Sequence, residues 1–212
     1  MNKDIAQRAL YASLTQYGSV FPLTLHFRRA RQYVEWTEDN FNYSQYNPRK
    51  PNNRYGLSLT SLDGGTSGGP DLDSIPEYNR ENGTDYRERD FSVITPAYSK
   101  ELQEVLQPFN PFLFRTHVLK LGPGGFFPPH RDQISELRSF RLIIPLKNTS
   151  PPSCMFVVDG EIKQWQEGRV YFVDTVKEHT LVNASYQNSY WLVANVDLTI
   201  ESFDTFINYI PY

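Results

Sequence analysis

Residues 113–132 read LFRTHVLKLGPGGFFPPHRD: a strand candidate, a glycine-rich turn and a metal-type cluster in succession. Leu113–Leu121 is rich in apolar and aromatic side chains, the texture of a strand. Gly122-Pro123-Gly124-Gly125 then turns the chain and would bring a strand edge to the mouth of a cleft. In extended backbone alternate residues share a face, so His130 and Asp132 are expected to project together, with Arg131 pointing away. An imidazole nitrogen beside a carboxylate oxygen suits a divalent first-row metal.

Toward the C-terminus the texture stays β. Strand candidates are 140–146, 155–158, 169–173, 179–182 and 190–197, with no helix between them. Short strands punctuated by turns imply a sandwich, barrel or jelly roll. The aromatic content of 15% adds weight to a β-rich fold. His179 lies near the start of one of these strands, after the glycine-led stretch Gly168 to Asp174. In an antiparallel jelly roll it can lie beside His130. A lone His-x-Asp is common by chance, and a lone histidine is usually structural. Two histidines and one carboxylate on one side of a metal, however, leave the opposite side open, which is the Fe(II) oxygenase arrangement. His26 and His117 have no carboxylate in comparable register.

Toward the N-terminus, residues 3 to 16 read as a short helix and Phe21 to Trp36 as strand-like pieces. From 40 to 89 the chain is loop-rich, with Tyr55 to Thr60 as its one strand candidate; we expect an ordered cover over the core. Within it Asp71-Leu72-Asp73 reads as a solvated loop. Arg54, Arg87 and Arg89 read as surface charges or as holders of a substrate carboxylate. Thr95-Pro96 is expected to cap a helix running to Leu106, which Pro108 and Pro111 end. The tail from Phe203 to Tyr212 is apolar enough to dock on the core or on a partner.

A chain of 212 residues is expected to form one domain, 1–212, able to bury a sizeable core. Its net charge of -3 argues against nucleic acid or an anionic membrane as partner. The single cysteine, Cys154, excludes an internal disulfide and fits a cytoplasmic setting, and it reads as a small buried hydrophobe.

LKLGPGGFFPPHRD, FRLIIPLKN, the segment from Cys154 to Val158, EGRVYFVDTVKEHTLVNAS and WLVANVDL together resemble the aspartyl/asparaginyl β-hydroxylase family. They are also similar to the bacterial free-proline hydroxylases, and the resemblance covers residues 113 to 198. It implies a mainly β, cupin-like double-stranded β-helix (a jelly roll) with a few flanking N-terminal helices. It further implies Fe(II), O2 and 2-oxoglutarate, with hydroxylation coupled to release of succinate and CO2. By position His130, Asp132 and His179 match the family's metal ligands and catalytic centre. Related enzymes place an arginine ten residues after the second histidine to hold 2-oxoglutarate, and this chain has Ser189 there. Arg141 matches another family arginine of the co-substrate pocket and is the first candidate anchor, with Arg115 and His117 in reserve. The substrate class implied is an amino acid or amino-acid-like small molecule, with a peptide or protein side chain still open. The alternative from another class is a cupin-like metal- or ligand-binding module without turnover.

Overall fold

The computed structural model describes residues 3–50, 52–132 and 138–211. The N-terminal part holds helix α1 (Lys3–Thr15), strand β1 (Val20–His26), helix α2 (Ala30–Asn40) and strands β2 (Ser44–Gln45), β3 (Arg54–Ser58) and β4 (Thr60–Ser61). Helix α3 (Ile75–Asn82), strand β5 (Val93–Ile94) and helix α4 (Lys100–Leu106) follow. Next come β6 (Leu113–Leu121), β7 (Phe126–His130), β8 (Ser139–Lys147), β9 (Cys154–Val158) and β10 (Glu161–Ile162). The last elements are β11 (Arg169–Val173), β12 (His179–Asn183), β13 (Ser189–Asp197) and helix α5 (Ile200–Ile207).

The fold is mainly β. A large sheet in the order β1-β11-β8-β13-β6-β3-β2 faces a smaller one in the order β10-β9-β12-β7, and every pairing is antiparallel. From β6 onward the chain crosses between the sheets, and this winding is the double-stranded β-helix of cupins. The alternation of each strand divides the core in two. On β8, Leu142 and Ile144 face the helices, whereas Ile143 faces the space between the sheets. On β13, Leu192 and Ala194 face the helices while Trp191 and Val193 point inward. With both faces covered, β13 reads as an almost unbroken buried run.

Helices α1, α2, α4 and α5 back the large sheet, supplying Leu14, Val34, Leu102 and Phe206 to one apolar cluster. Thus the flanking helices are not all N-terminal. The tail docks on its own core through Phe206, which meets Phe21, Phe140 and Phe172 edge-on; Tyr212 lies outside the described residues.

Three sequence expectations need correction. The second half of Phe21 to Trp36 is helix α2, because Ala30, Tyr33, Val34 and Thr37 fall on one buried stripe. Helix α4 is capped by Ser99, whose hydroxyl accepts from the Leu102 amide, while the Thr95 hydroxyl donates to the Ser58 carbonyl. Asp71 and Asp73 are buried, with Asp73 paired to Arg49. Strand β7 carries Pro128 and Pro129, residues that speak against a strand; it is the edge of its sheet, where their missing N–H groups break no ladder. Among the described residues no helix is long and apolar enough to cross a membrane.

Candidate metal centre

His130 and His179 are direct partners across the β7–β12 pair, and their ring centroids lie 4.2 Å apart. Asp132 lies just past the end of β7, so strand alternation alone does not set its direction. Its backbone N–H donates to the Thr175 carbonyl at 2.9 Å, which pins the segment against the turn before β12. The carboxylate then stands beside both rings, with Oδ1 3.8 Å from His130 Nε2 and Oδ2 3.9 Å from His179 Nε2. One donor atom from each of the three lies within 4.8 Å of the others.

Both imidazoles are set up to coordinate. His130 Nδ1 is 2.7 Å from the Pro128 carbonyl and His179 Nδ1 is 3.0 Å from the Lys177 carbonyl. A carbonyl only accepts, so Nδ1 carries the proton in each ring and Nε2 offers its lone pair toward Asp132. Burial lowers the His179 pKa, helped by His130 and Arg141 and opposed by Asp132 and the Lys177 carbonyl. For Asp132, burial acts to raise its pKa, but Arg141, then His179, Thr175 and His130, outweigh it and hold the carboxyl below its ordinary value. A neutral-nitrogen, ionised-carboxylate donor set fits a divalent first-row metal.

A cleft of about 530 Å³, counting the part open to solvent, meets this cluster. Arg141, opening β8, lines it. Nη1 is 2.6 Å from Asp132 Oδ2, and Nε donates to Asn195 Oδ1 at 3.0 Å. His117 also lines the cleft and is buried, with its pKa pushed down to about 3 by burial first and by Arg115 second.

The other two candidates sit elsewhere. Arg115 turns away at a left-handed backbone position (φ 42°) and is held by Glu88 and by the carbonyls of Asp71 and Asp73. Ser189 is buried beneath the cleft, donating to Cys154 Sγ and accepting from Trp191 Nε1. Sequence reasoning passed over Tyr46, Phe127, Phe156 and Trp191, which line the cleft; aromatic residues in a β fold are usually core, and nothing in spacing marked these out.

Residues 85–197, more than half of the chain, match the family model described as aspartyl/asparaginyl β-hydroxylase. No curated protein shows significant similarity to the chain. Among solved structures, a Pseudomonas putida prolyl-4-hydroxylase is similar at a TM-score of 0.49 and 11% identity, covering 91% of this chain and 99% of that one. A predicted oxalate decarboxylase from Thermotoga maritima is similar at a TM-score of 0.33 and 17% identity, covering 44% and 74%. A cupin domain from Bordetella pertussis Tohama I gives 0.33 and 16%, covering 41% and 83%. These TM-scores are below 0.5, so the family match and the site's own geometry carry the argument.

Proposed function

The chain belongs to the aspartyl/asparaginyl β-hydroxylase family, and from that premise we propose that it is a non-haem Fe(II) dioxygenase. On this reading it consumes O2 and a 2-oxo acid, which the resemblance implies is 2-oxoglutarate, and hydroxylates an amino acid or an aspartyl-, asparaginyl- or prolyl-type group. The observation that carries the reading is the convergence of His130, Asp132 and His179 at the cleft, with both Nε2 atoms turned to one carboxylate.

In the mechanism, His130, Asp132 and His179 would hold the iron on one side. Bound Fe(II) supplies oxygen activation: one oxygen atom enters a substrate C–H bond, the other enters the acid left when the 2-oxo acid loses CO2, which is succinate for 2-oxoglutarate. The protein does the rest by position. The Pro128 and Lys177 carbonyls keep each imidazole in its coordinating tautomer. Arg141, which pairs with Asp132 and lines the cleft, is our candidate for holding a carboxylate of the co-substrate. The segment 40–89, which brings Tyr46 to the cleft, is our candidate for excluding water. We place the substrate as a small amino-acid-like molecule, or a peptide side chain, in the cytoplasm, with neither nucleic acid nor membrane as partner.

Aerobic incubation of the iron-loaded protein with 2-oxo acids tests this. CO2 and the shortened acid are expected, at least at a slow uncoupled rate, and none with any 2-oxo acid would overturn the reading. The binding-module alternative is favoured by the absence of a cation at Ser189. It predicts metal uptake with no visible charge-transfer band when a 2-oxo acid is added anaerobically.

A further inference from the structure

Ser189, Leu121 and Arg54 form one row across β13, β6 and β3, because Leu121 is the partner of Ser189 on one side and of Arg54 on the other. Partners in a row share a face of the sheet. Leu121 belongs to the inner apolar cluster, and Ser189 reaches Cys154 and Trp191 of that cluster, so the row points between the two sheets. Where the resemblance calls for an arginine the chain thus has a serine with its hydroxyl already engaged, and an arginine stands two strands away in the same row. Arg54 lies outside residues 85–197, the stretch that matches the family model.

Arg54 is only 5% exposed. Its side chain crosses toward the smaller sheet, where the guanidinium carbon sits 4.1 Å from the centre of the Phe127 ring and 5.6 Å from that of Tyr46. Both rings line the cleft. The Phe127 ring is in turn 6.0 Å from the His130 ring, so a single aromatic ring separates this cation from a member of the triad. Nη2 donates to the Lys50 carbonyl at 3.0 Å, whereas Nε is buried with no partner. Among the described residues no carboxylate pairs with Arg54; burial lowers its pKa, with Tyr46 opposing. A guanidinium stays charged even so, and a buried charge without a counter-ion is costly. Ring faces offset part of that cost but leave the N–H edge open to a carboxylate. Between Arg54 and Arg141 the cleft is walled by Leu119, Ile143, Leu181 and Val193, a sleeve suited to methylene groups.

We propose that Arg54 holds the far carboxylate of the co-substrate, a 2-oxo dicarboxylate with its 2-oxo end at the triad, and so supplies from β3 the cation that Ser189 lacks. The inference rests on the dioxygenase reading and names a binding residue that the reading leaves open. The depth of Arg54, behind Phe127 and Tyr46, suits a molecule reaching inward from the metal rather than one seated at the mouth.

The test is an anaerobic titration of the Fe(II)-loaded full chain, following the visible charge-transfer band. The two ligands are 2-oxoglutarate and 2-oxopentanoate, which has a methyl group where the far carboxylate stands. The unmodified protein is expected to bind the diacid at least about tenfold more tightly. Arg54→Gln should weaken 2-oxoglutarate by about 10- to 100-fold and 2-oxopentanoate by less than about threefold, with Mn(II) affinity unchanged. A cation that only stacks on Phe127 would shift both acids alike, and that result overturns the inference. Equal or tighter binding of 2-oxopentanoate by the unmodified protein overturns it too, and either outcome leaves the dioxygenase reading standing. No band with either acid in the unmodified protein, while Mn(II) uptake is confirmed separately, overturns both. If Arg54→Gln does not fold, Arg54→Lys keeps the charge but loses the fork, and should weaken 2-oxoglutarate selectively by about threefold or more. An unchanged ratio of the two constants in that variant overturns the inference.

Discussion

Arg141 Nη1 lies 2.6 Å from Asp132 Oδ2, so the one acidic member of the candidate metal triad is braced by the cation that also borders the cleft. The brace is itself fixed, since Arg141 Nε donates to Asn195 on the neighbouring strand. Replacing Arg141 by Leu should weaken Mn(II) binding by about 10- to 100-fold, the usual penalty for losing a group that orients a ligand. Arg141→Lys keeps the charge and loses the fork, and should fall between. Titration of Mn(II) by electron paramagnetic resonance reads both, and wild-type affinity in Arg141→Leu would refute the bracing role.

Removing a ligand outright should do more. Asp132→Ala leaves two neutral imidazoles and Arg141 without its counter-ion, and the expected loss of divalent-metal affinity exceeds about 100-fold. Equilibrium dialysis against Fe(II) or Mn(II), with far-ultraviolet circular dichroism to verify folding, measures it.

His117 should impose an acid limit on stability. Its pKa is pushed down to about 3 in the fold, burial being the main cause, against about 6.5 when unfolded. The unfolded chain therefore takes up a proton that the folded chain refuses. The stabilisation is complete above pH 6.5 and is lost as pH falls from there toward 3. The upper bound is on the order of 3–5 kcal/mol. Urea unfolding at pH 7 and pH 4 should show a smaller decline for His117→Gln than for the unmodified chain, and parallel declines would exclude the effect.

Gly168 precedes β11 with φ at 78°, and a Cβ there would drive into the Phe27 carbonyl. The same residue donates to the Pro145 carbonyl at 2.7 Å and accepts from the Phe27 amide at 2.6 Å, tying β1 and β8 together at their ends. Gly168→Ala adds left-handed strain to a backbone clash, for an expected loss of roughly 2–4 kcal/mol in urea unfolding. An effect below about 0.5 kcal/mol would mean that the junction yields easily.

How much of this was legible depended on whether local chemistry or distant packing set each feature. Leu113–Leu121 and Arg169–Val173 match their strands residue for residue, because apolar runs bounded by glycine and proline announce themselves locally. His130 and His179 could be paired from the strand pattern, and the structure brings them face to face. Arg115 could not be placed, since its direction follows from a left-handed backbone and a pairing with Glu88, neither written in its own stretch. The burial of Asp71 and Asp73 was equally hidden, for it depends on Arg49, Ser74 and Arg115 gathering around them. Ser189 shows the same lesson at the site. Counting ten residues from His179 finds the position, but only the fold reveals that its hydroxyl is consumed by Trp191 and Cys154.

The two prolines of β7 bear on how copies of this protein behave together. An uncovered sheet margin invites another chain to zip onto it through a row of amide donors. Here Pro128 and Pro129 have none to give, and the Phe126 amide is already taken by the Asn52 carbonyl. The rim next to the triad is thereby a poor template for self-association, which keeps strand pairing away from the entrance to the candidate metal site.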